Sequence, residues 1–209
     1  DTAAERIEAI DGGVRVHISG AAPIEARRAV VSAGAWTASL LPDLPVPLRV
    51  ERQVLAWFPV GHPAAFAPDA FPVFMRELRD GRMVYGLPSL DGATVKLAMH
   101  HEGETTDPDA VRRSVDDADL EPLRRFVRDR LRGVAPEPVR ATTCLYTNTP
   151  DGHFLLDSLP GRPQAVVLSA CSGHGFKFAP VMGDAAAALA LDGATAHQVA
   201  SFSLRRFAA

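Results

Sequence analysis

Apolar and polar residues alternate at several places along the chain, and each alternation predicts a strand. Gly13 to Ile18 (GVRVHI) is one, after a Gly12-Gly13 turn. Gln53 to Phe58 (QVLAWF) is another. Met83 to Gly86 and Thr94 to His100 (TVKLAMH) predict an antiparallel pair joined through Ser89 to Gly92. Unbroken apolar runs at Ala29 to Ser32 and Ala165 to Ala170 read as buried strands, and Phe154 to Leu156 as a further short one. Prolines at 42, 45 and 47 mark a connector, and those at 59, 63, 68 and 72 make 59–73 a loop. Leu120, Leu123, Phe126, Val127 and Leu131 fall on one face of a 3.6-residue period, which predicts a helix over Asp119 to Leu131 stopped by Gly133. Lys177 to Leu191 predicts an Ala-rich helix ending at Gly193, with Gly183 and the alanines at 185–188 as a slim surface for close packing. Many strands with few helices imply a mixed α/β, or α+β, fold.

Composition narrows the function classes. The 209 residues carry 22 basic and 25 acidic side chains, a net charge of −3, and are 47% hydrophobic. That balance excludes a disordered tail and an electrostatically driven nucleic-acid binder. No run of about 18 apolar residues predicts a membrane span. Two cysteines cannot build a disulfide scaffold, so a reduced, cytoplasmic setting is the expectation. The chain opens on Asp1 without a basic start or apolar core, so no secretory signal is read, and the start looks like an internal cut, a processed product or an expression boundary.

The scarce residues are the informative ones. Of the 22 basic residues only Lys96 and Lys177 are lysines; Tyr85 and Tyr146 are the two tyrosines, and Asn148 is the one asparagine. Lysine, tyrosine and asparagine codons are AT-rich, so the usage suggests a GC-rich genome. Survivors of such depletion are candidates for positions that need that side chain, and Arg cannot supply a compact, shiftable ammonium.

In TVKLAMH, alternation puts Lys96, Ala98 and His100 on one face and Val95, Leu97 and Met99 on the other. Lys96 is then either a costly inward lysine suited to proton transfer or water activation, or an edge-strand lysine in solvent. The run Ser172-Gly173-His174-Gly175-Phe176-Lys177 follows an apolar strand and precedes a helix. Such a corner either lets backbone approach an anionic ligand, or is a structural turn with a satisfied histidine. It is not a dinucleotide fingerprint, because position 178 is Phe where a third glycine is needed, and no Gly-x-Gly-x-x-Gly or Walker loop occurs in the chain. Cys144 and Cys171 read as small buried hydrophobes. No His-x-x-x-His, His-Glu-x-x-His, Cys-x-x-Cys or Gly-x-Ser-x-Gly is found, so no metal site and no serine nucleophile are expected.

Taken together, the segments VVSAGAW (30–36), RQVLAWF (52–58), VYGLPS (84–89), VKLAMHHEGETTDPD (95–109), CLYTNTPDGHFLLD (144–157) and SGHGFKF (172–178) resemble, in order, the FAD-dependent amine oxidases typified by monomeric sarcosine oxidase and N-methyltryptophan oxidase. The last two segments are the most specific. The resemblance implies that Cys144 bonds FAD covalently, that Lys96 activates oxygen near the flavin, and that Tyr85, His100 and Tyr146 line the substrate cavity. It implies that Lys177 pairs with the substrate carboxylate, and that Ser172, Gly173, His174, Gly175, Phe176 and Lys177 lie against the flavin. Cys171 departs from the pattern, which has phenylalanine or a similar residue there.

The resemblance covers the C-terminal half of such an enzyme. It implies a largely antiparallel substrate-domain sheet plus the remnant of an FAD-binding domain. Residues 1–45 would be the tail of the FAD domain, 46–140 the substrate domain, and 141–209 the return to the FAD domain. The implied activity is oxidation of a secondary amino acid by oxygen to an imine and hydrogen peroxide. Sarcosine, N-methyltryptophan, pipecolate and a biosynthetic imino acid all remain open. The glycine-rich pyrophosphate cradle would lie upstream, so this chain alone is expected to be inactive and poor in FAD. The whole enzyme is expected to be a monomer, whereas a piece with an uncovered interface can self-associate. A glycine-oxidase-like or demethylating enzyme with noncovalent FAD, and a non-catalytic remnant acting as a binding module, are the alternatives.

Overall fold

The computed structural model describes residues 2–169 and 171–207. In chain order the strands are β1 (Ala4–Ile10), β2 (Gly13–Ile18), β3 (Ile24–Ala26) and β4 (Ala29–Val31), followed by the one-turn helix α1 (Thr37–Leu40). Then come β5 (Arg49–Pro59), β6 (Phe74–Glu77), β7 (Met83–Leu87), β8 (Thr94–His100), β9 (Glu104–Thr105) and α2 (Asp117–Arg130). Last are β10 (Arg140–Asn148), β11 (Leu155–Leu159), β12 (Arg162–Ser169) and α3 (Ala179–Asp192). Ala170, the last residue of the expected AVVLSA strand, lies outside the described residues. The fold is mixed α/β with largely antiparallel sheets.

Two compact units divide the chain: Asp1–Val50 with Tyr146–Ala209, and Glu51–Leu145. The divisions fall inside β5 and β10 rather than in connectors. In the first unit, β11-β12-β4 form one sheet and β1-β2-β3 another. β12 and β4 run parallel, with Val166 opposite Val30. α3 lays Met182, Ala185, Ala186 and Ala190 on Leu156 and Val166 of that sheet. The small side chains there do the close packing, whereas a Cβ on Gly183 would meet nothing within 4 Å, so the expected slim surface divides into a packed face and an open one.

The second unit is a sheet in the order β10-β5-β8-β7-β6, with β9 pairing β5. α2 covers one face of it. Leu120, Leu123, Phe126 and Val127 pack with Ala56, Phe58, Val84, Val95, Leu97 and Met99 in one cluster. Gly86 is needed in this layer, because a Cβ there would sit 2.3 Å from the Phe74 ring.

The helix boundaries differ from the sequence expectation for identifiable reasons. α2 begins two residues before Asp119, because Asp116 caps it and Asp119 returns the bond to the Asp116 N–H. It stops at Leu131, which is already extended, so Gly133 is not its terminator; Gly133 instead accepts from the Gly61 N–H in a neighbouring turn. α3 starts at Ala179 rather than Lys177, with Phe176–Phe178 in a 3-10 turn and a proline in the first helical turn. Gly193, at φ +73, closes it as expected. β1 was not expected, since AERIEAI is poor in strand formers. The Asp11-Gly12 turn, with Gly12 at φ +72, folds it onto β2.

The start of α2 is fastened to β5 by charge. Arg52, 2% exposed, grips Asp119 through Nη1 and Nη2 at 2.9 Å each and donates to the Arg112 and Ser114 carbonyls. Arg52, with Arg112 beside it, holds the Asp119 carboxyl well below the usual carboxylate range against the opposing effect of burial.

Two outcomes follow. Leu123, 1% exposed, sits at the centre of the α2 face, so Leu123→Ala should cost about 2–5 kcal/mol in denaturant unfolding. The depressed Asp119 pKa contributes stability that is present above the unfolded value, near 3.9, and is lost as pH falls through the folded value. Unfolding curves taken from pH 5 downward should therefore show a steep acid limb that Asp119→Asn flattens; an unchanged limb would contradict the clamp.

Candidate functional site

β8 lies between β5 and β7, so Lys96 is on a central strand and the edge-strand reading fails. Register then fixes the neighbours of each residue, since residues opposite one another in an antiparallel pair share a face. Trp57, Lys96 and Leu87 form one row across the sheet; Leu55, Ala98 and Tyr85 form the next; Met83 and His100 follow. The alternate rows, such as Ala56, Leu97 and Gly86, point into the α2 core. The sheet therefore has a packed side and a chemically equipped side.

On the equipped side Lys96, Tyr85, Trp57 and His100 are half-buried. The Lys96 ammonium lies 5.9 Å from the Trp57 ring centroid, and the Arg140 guanidinium stacks on that ring at 3.7 Å. Trp57, Leu87, Pro88, Leu90, Asp91, Thr94, Lys96 and Arg140 line an open hollow of about 360 Å³. Tyr85 and His100 meet edge to face, with ring centroids 6.1 Å apart.

Cys144 joins this group through β10. Ala141 packs against the α2 cluster, whereas Arg140 reaches over Trp57. Alternation along the strand puts Thr142 and Cys144 on the side of Arg140. The half-buried Cys144 thiol is pushed up in pKa by burial and pulled partly back by the Lys96 charge. This agreement of register and electrostatics places Lys96, Tyr85, His100 and Cys144 on one side of one sheet.

The other expected residues belong to the first unit. Ser172 and Gly173 both adopt left-handed backbone, at φ +47 and +76. Gly173 is obligatory, because a Cβ there would lie 2.5 Å from the Tyr146 ring. The Ser172 N–H donates to the Thr147 carbonyl, so the corner is tied to β10 directly after Tyr146. His174 Nε2 lies 3.0 Å from the Gly152 carbonyl, and its ring packs on Phe154. Gly175 is buried, and Phe176 is 95% exposed. Lys177 is exposed, its ammonium 5.1 Å from the Phe178 ring centroid, and precedes α3 rather than opening it. Burial pushes the Cys171 thiol up as well, opposed by a hydrogen bond with Ser169.

Residues 1–189 match the family model described as FAD dependent oxidoreductase. The chain belongs to that family. Similar members include monomeric sarcosine oxidase of Streptomyces avermitilis, 39% identical over 209 residues, covering 98% of this chain and 54% of that protein. N-methyl-L-tryptophan oxidase of Salmonella arizonae is 35% identical over 207 residues, covering 97% and 53%. The chain thus spans about half the length of the relatives it matches. Among solved structures, NikD, an unusual amino acid oxidase essential for nikkomycin biosynthesis, superposes with a TM-score of 0.79 at 23% identity, over 97% of this chain and 54% of that one. Glycine oxidase from Geobacillus kaustophilus gives 0.69 at 21%, over 97% and 51%. At those identities the likeness speaks for the fold of this family member.

Trp57 and Arg140 were not foreseen as site residues. Trp57 was legible, because QVLAWF alternates like TVKLAMH; Arg140, among 20 arginines, carried no sequence signal.

Two measurements probe this geometry. Alkylation of Cys144 at pH 8 should run slower than that of a free thiol, and slower still in Lys96→Met, since removing the ammonium removes a charge that lowers its pKa. Faster alkylation in that variant would contradict the pairing. Gly173→Ala should destabilise by at least about 1 kcal/mol for its backbone alone, read by thermal or denaturant unfolding.

Proposed function

We propose that this chain is the C-terminal part of a flavin-dependent oxidase of secondary amino acids, of the sarcosine or N-methyl amino acid type, which yields an imine and hydrogen peroxide. The observation that carries the reading is the equipped sheet face, where Lys96, Cys144, Tyr85 and His100 share one side around aromatic and aliphatic walls. That surface fits FAD: the isoalloxazine is a flat, largely apolar ring with polar atoms along one edge, and Trp57, Leu87 and Pro88 give apolar walls beside the Lys96 ammonium and the Arg140 guanidinium, which suit an electron-rich edge. Bound FAD would supply the acceptor for the two electrons removed from the C–N bond, and oxygen would regenerate it.

The remaining roles belong to the chain's own residues. Cys144 would hold the cofactor through a thioether at its sulfur. Lys96 would favour negative charge developing on oxygen, acting from a fixed position on a central strand where little reorganisation is needed. Tyr85 and His100 would orient the amine end of the substrate. Lys177 would hold its carboxylate, and Tyr146 would form a wall of the substrate cavity. The Ser172–Phe176 corner, whose Ser172 and His174 N–H groups donate within the fold, would bring the Gly173, Gly175 and Phe176 backbone to the cofactor. Because the 209 residues contain no Gly-x-Gly-x-x-Gly, the chain by itself should hold little FAD.

Two results are expected of the complete enzyme. Its flavin should remain with the protein after acid precipitation, and Cys144→Ala should release it into the supernatant. A flavin released from the unaltered enzyme would favour a noncovalent, glycine-oxidase-like relative instead. Lys96→Met should slow reoxidation by oxygen by about 10²–10³-fold while anaerobic reduction by substrate changes far less. Equal losses in both half-reactions would remove Lys96 from the oxygen role.

A further inference from the structure

The segment Ala200–Phe207, two successive 3-10 turns, has no part in the roles above, yet it is fastened to the Ser172-Gly173 corner by an unbroken chain of hydrogen bonds. Arg206 is the first link. Its Nε donates to Asp151 Oδ2 at 2.7 Å and its Nη2 to Asp151 Oδ1 at 3.2 Å. The same Nη2 donates to the Phe154 carbonyl at 2.7 Å. Such a fork is rigid in a way that a lysine could not match. Asp151 is the second link: its Oδ1 lies 2.9 Å from Thr149 Oγ1 and accepts from the His153 N–H. Thr149, 5% exposed, stands beside this link: its one hydroxyl proton serves either Asp151 Oδ1 or the His153 carbonyl, 2.7 Å away, and its N–H faces Ser172 Oγ at 3.4 Å, so the continuous path to Ser172 runs through the His153 peptide. Ser172 closes the path, donating from Oγ to that same His153 carbonyl at 3.2 Å.

The corner needs such support. Ser172 is a non-glycine residue held at φ +47 and is 1% exposed, a backbone state that persists only where its surroundings over-determine it. The 200–207 segment is itself anchored: Ser203 Oγ and the Leu204 N–H both donate to Asp157 Oδ2, Leu204 is buried, and Phe202 packs on Phe154 at 5.3 Å between centroids. Arg206 is thus delivered to Asp151 from a fixed base.

We infer that Arg206 is a positioning residue, which acts through Asp151 and the His153 peptide to keep the Ser172-Gly173 turn in its left-handed shape for cofactor binding. The cofactor clause rests on the function proposed above; the clamp itself does not.

The test is amide hydrogen exchange of the purified protein, unaltered and with Arg206→Ala. The expected result is exchange at least tenfold faster at the 172–175 amides, with Val166 and Ala186 in the β12–α3 layer unchanged. Exchange that is uniformly faster across that layer, or nowhere faster, would overturn the inference. Arg206→Lys should restore little of the protection. Asp151→Asn, which leaves the 200–207 anchors intact, should give the same local pattern should Arg206→Ala fail to fold; no local change in it would also overturn the clamp. In the FAD-loaded whole enzyme, Arg206→Ala should shift the visible flavin bands. Selective exchange with unshifted bands would sustain the clamp and remove its link to the cofactor.

Discussion

The candidate site of the second unit depends on β8 being paired on both edges. A central strand fixes its residues in register with two neighbours, and alternation then assigns every side chain to one of two sides. Val95, Leu97 and Met99 are committed to the α2 layer and are buried. That commitment leaves Lys96 and His100 facing the other way, in rows shared with Trp57, Leu87 and Met83. A one-residue slip would bury the ammonium and expose the core, so the hydrophobic packing of α2 is what aims the lysine.

The same constraint explains which parts were legible in sequence. The period-2 pattern of TVKLAMH gave both the strand and its two faces, and the 3.6-residue pattern gave α2 to within two residues. Whether Lys96 stood at an edge could not be read locally, because strand order is set by pairing across distant segments. β1 leaves little local signal because glutamate and alanine are weak strand formers, held in place here by pairing with β2. Arg140 finds Trp57 across a pairing of distant strands, and Arg206 finds Asp151 across 55 residues, so neither contact leaves a local pattern. The scarcity of lysine and tyrosine marks Lys96, Lys177, Tyr85 and Tyr146 in the composition alone, and of these the structure puts Lys96 and Tyr85 on one face of the second unit's sheet and Lys177 and Tyr146 in the first unit.

The first unit solves a different problem. Its corner at Ser172-Gly173 takes a backbone shape that most residues avoid, and it does so in a segment fastened by short polar side chains rather than by regular structure. Glycine at 173 is demanded twice, by its φ and by the Tyr146 ring against it. The structure gives the reason such a corner can exist: short polar side chains and the Tyr146 ring hold it in place.

The central claim is that the Lys96 face of this sheet is the flavin-bearing one. A crystal structure of the complete, FAD-loaded enzyme tests it most directly. The account predicts the isoalloxazine against Trp57 and Lys96, with continuous density from its ring system to the Cys144 sulfur. A flavin bound elsewhere, with the Cys144 thiol free and the Lys96 hollow filled by protein side chains, would contradict it.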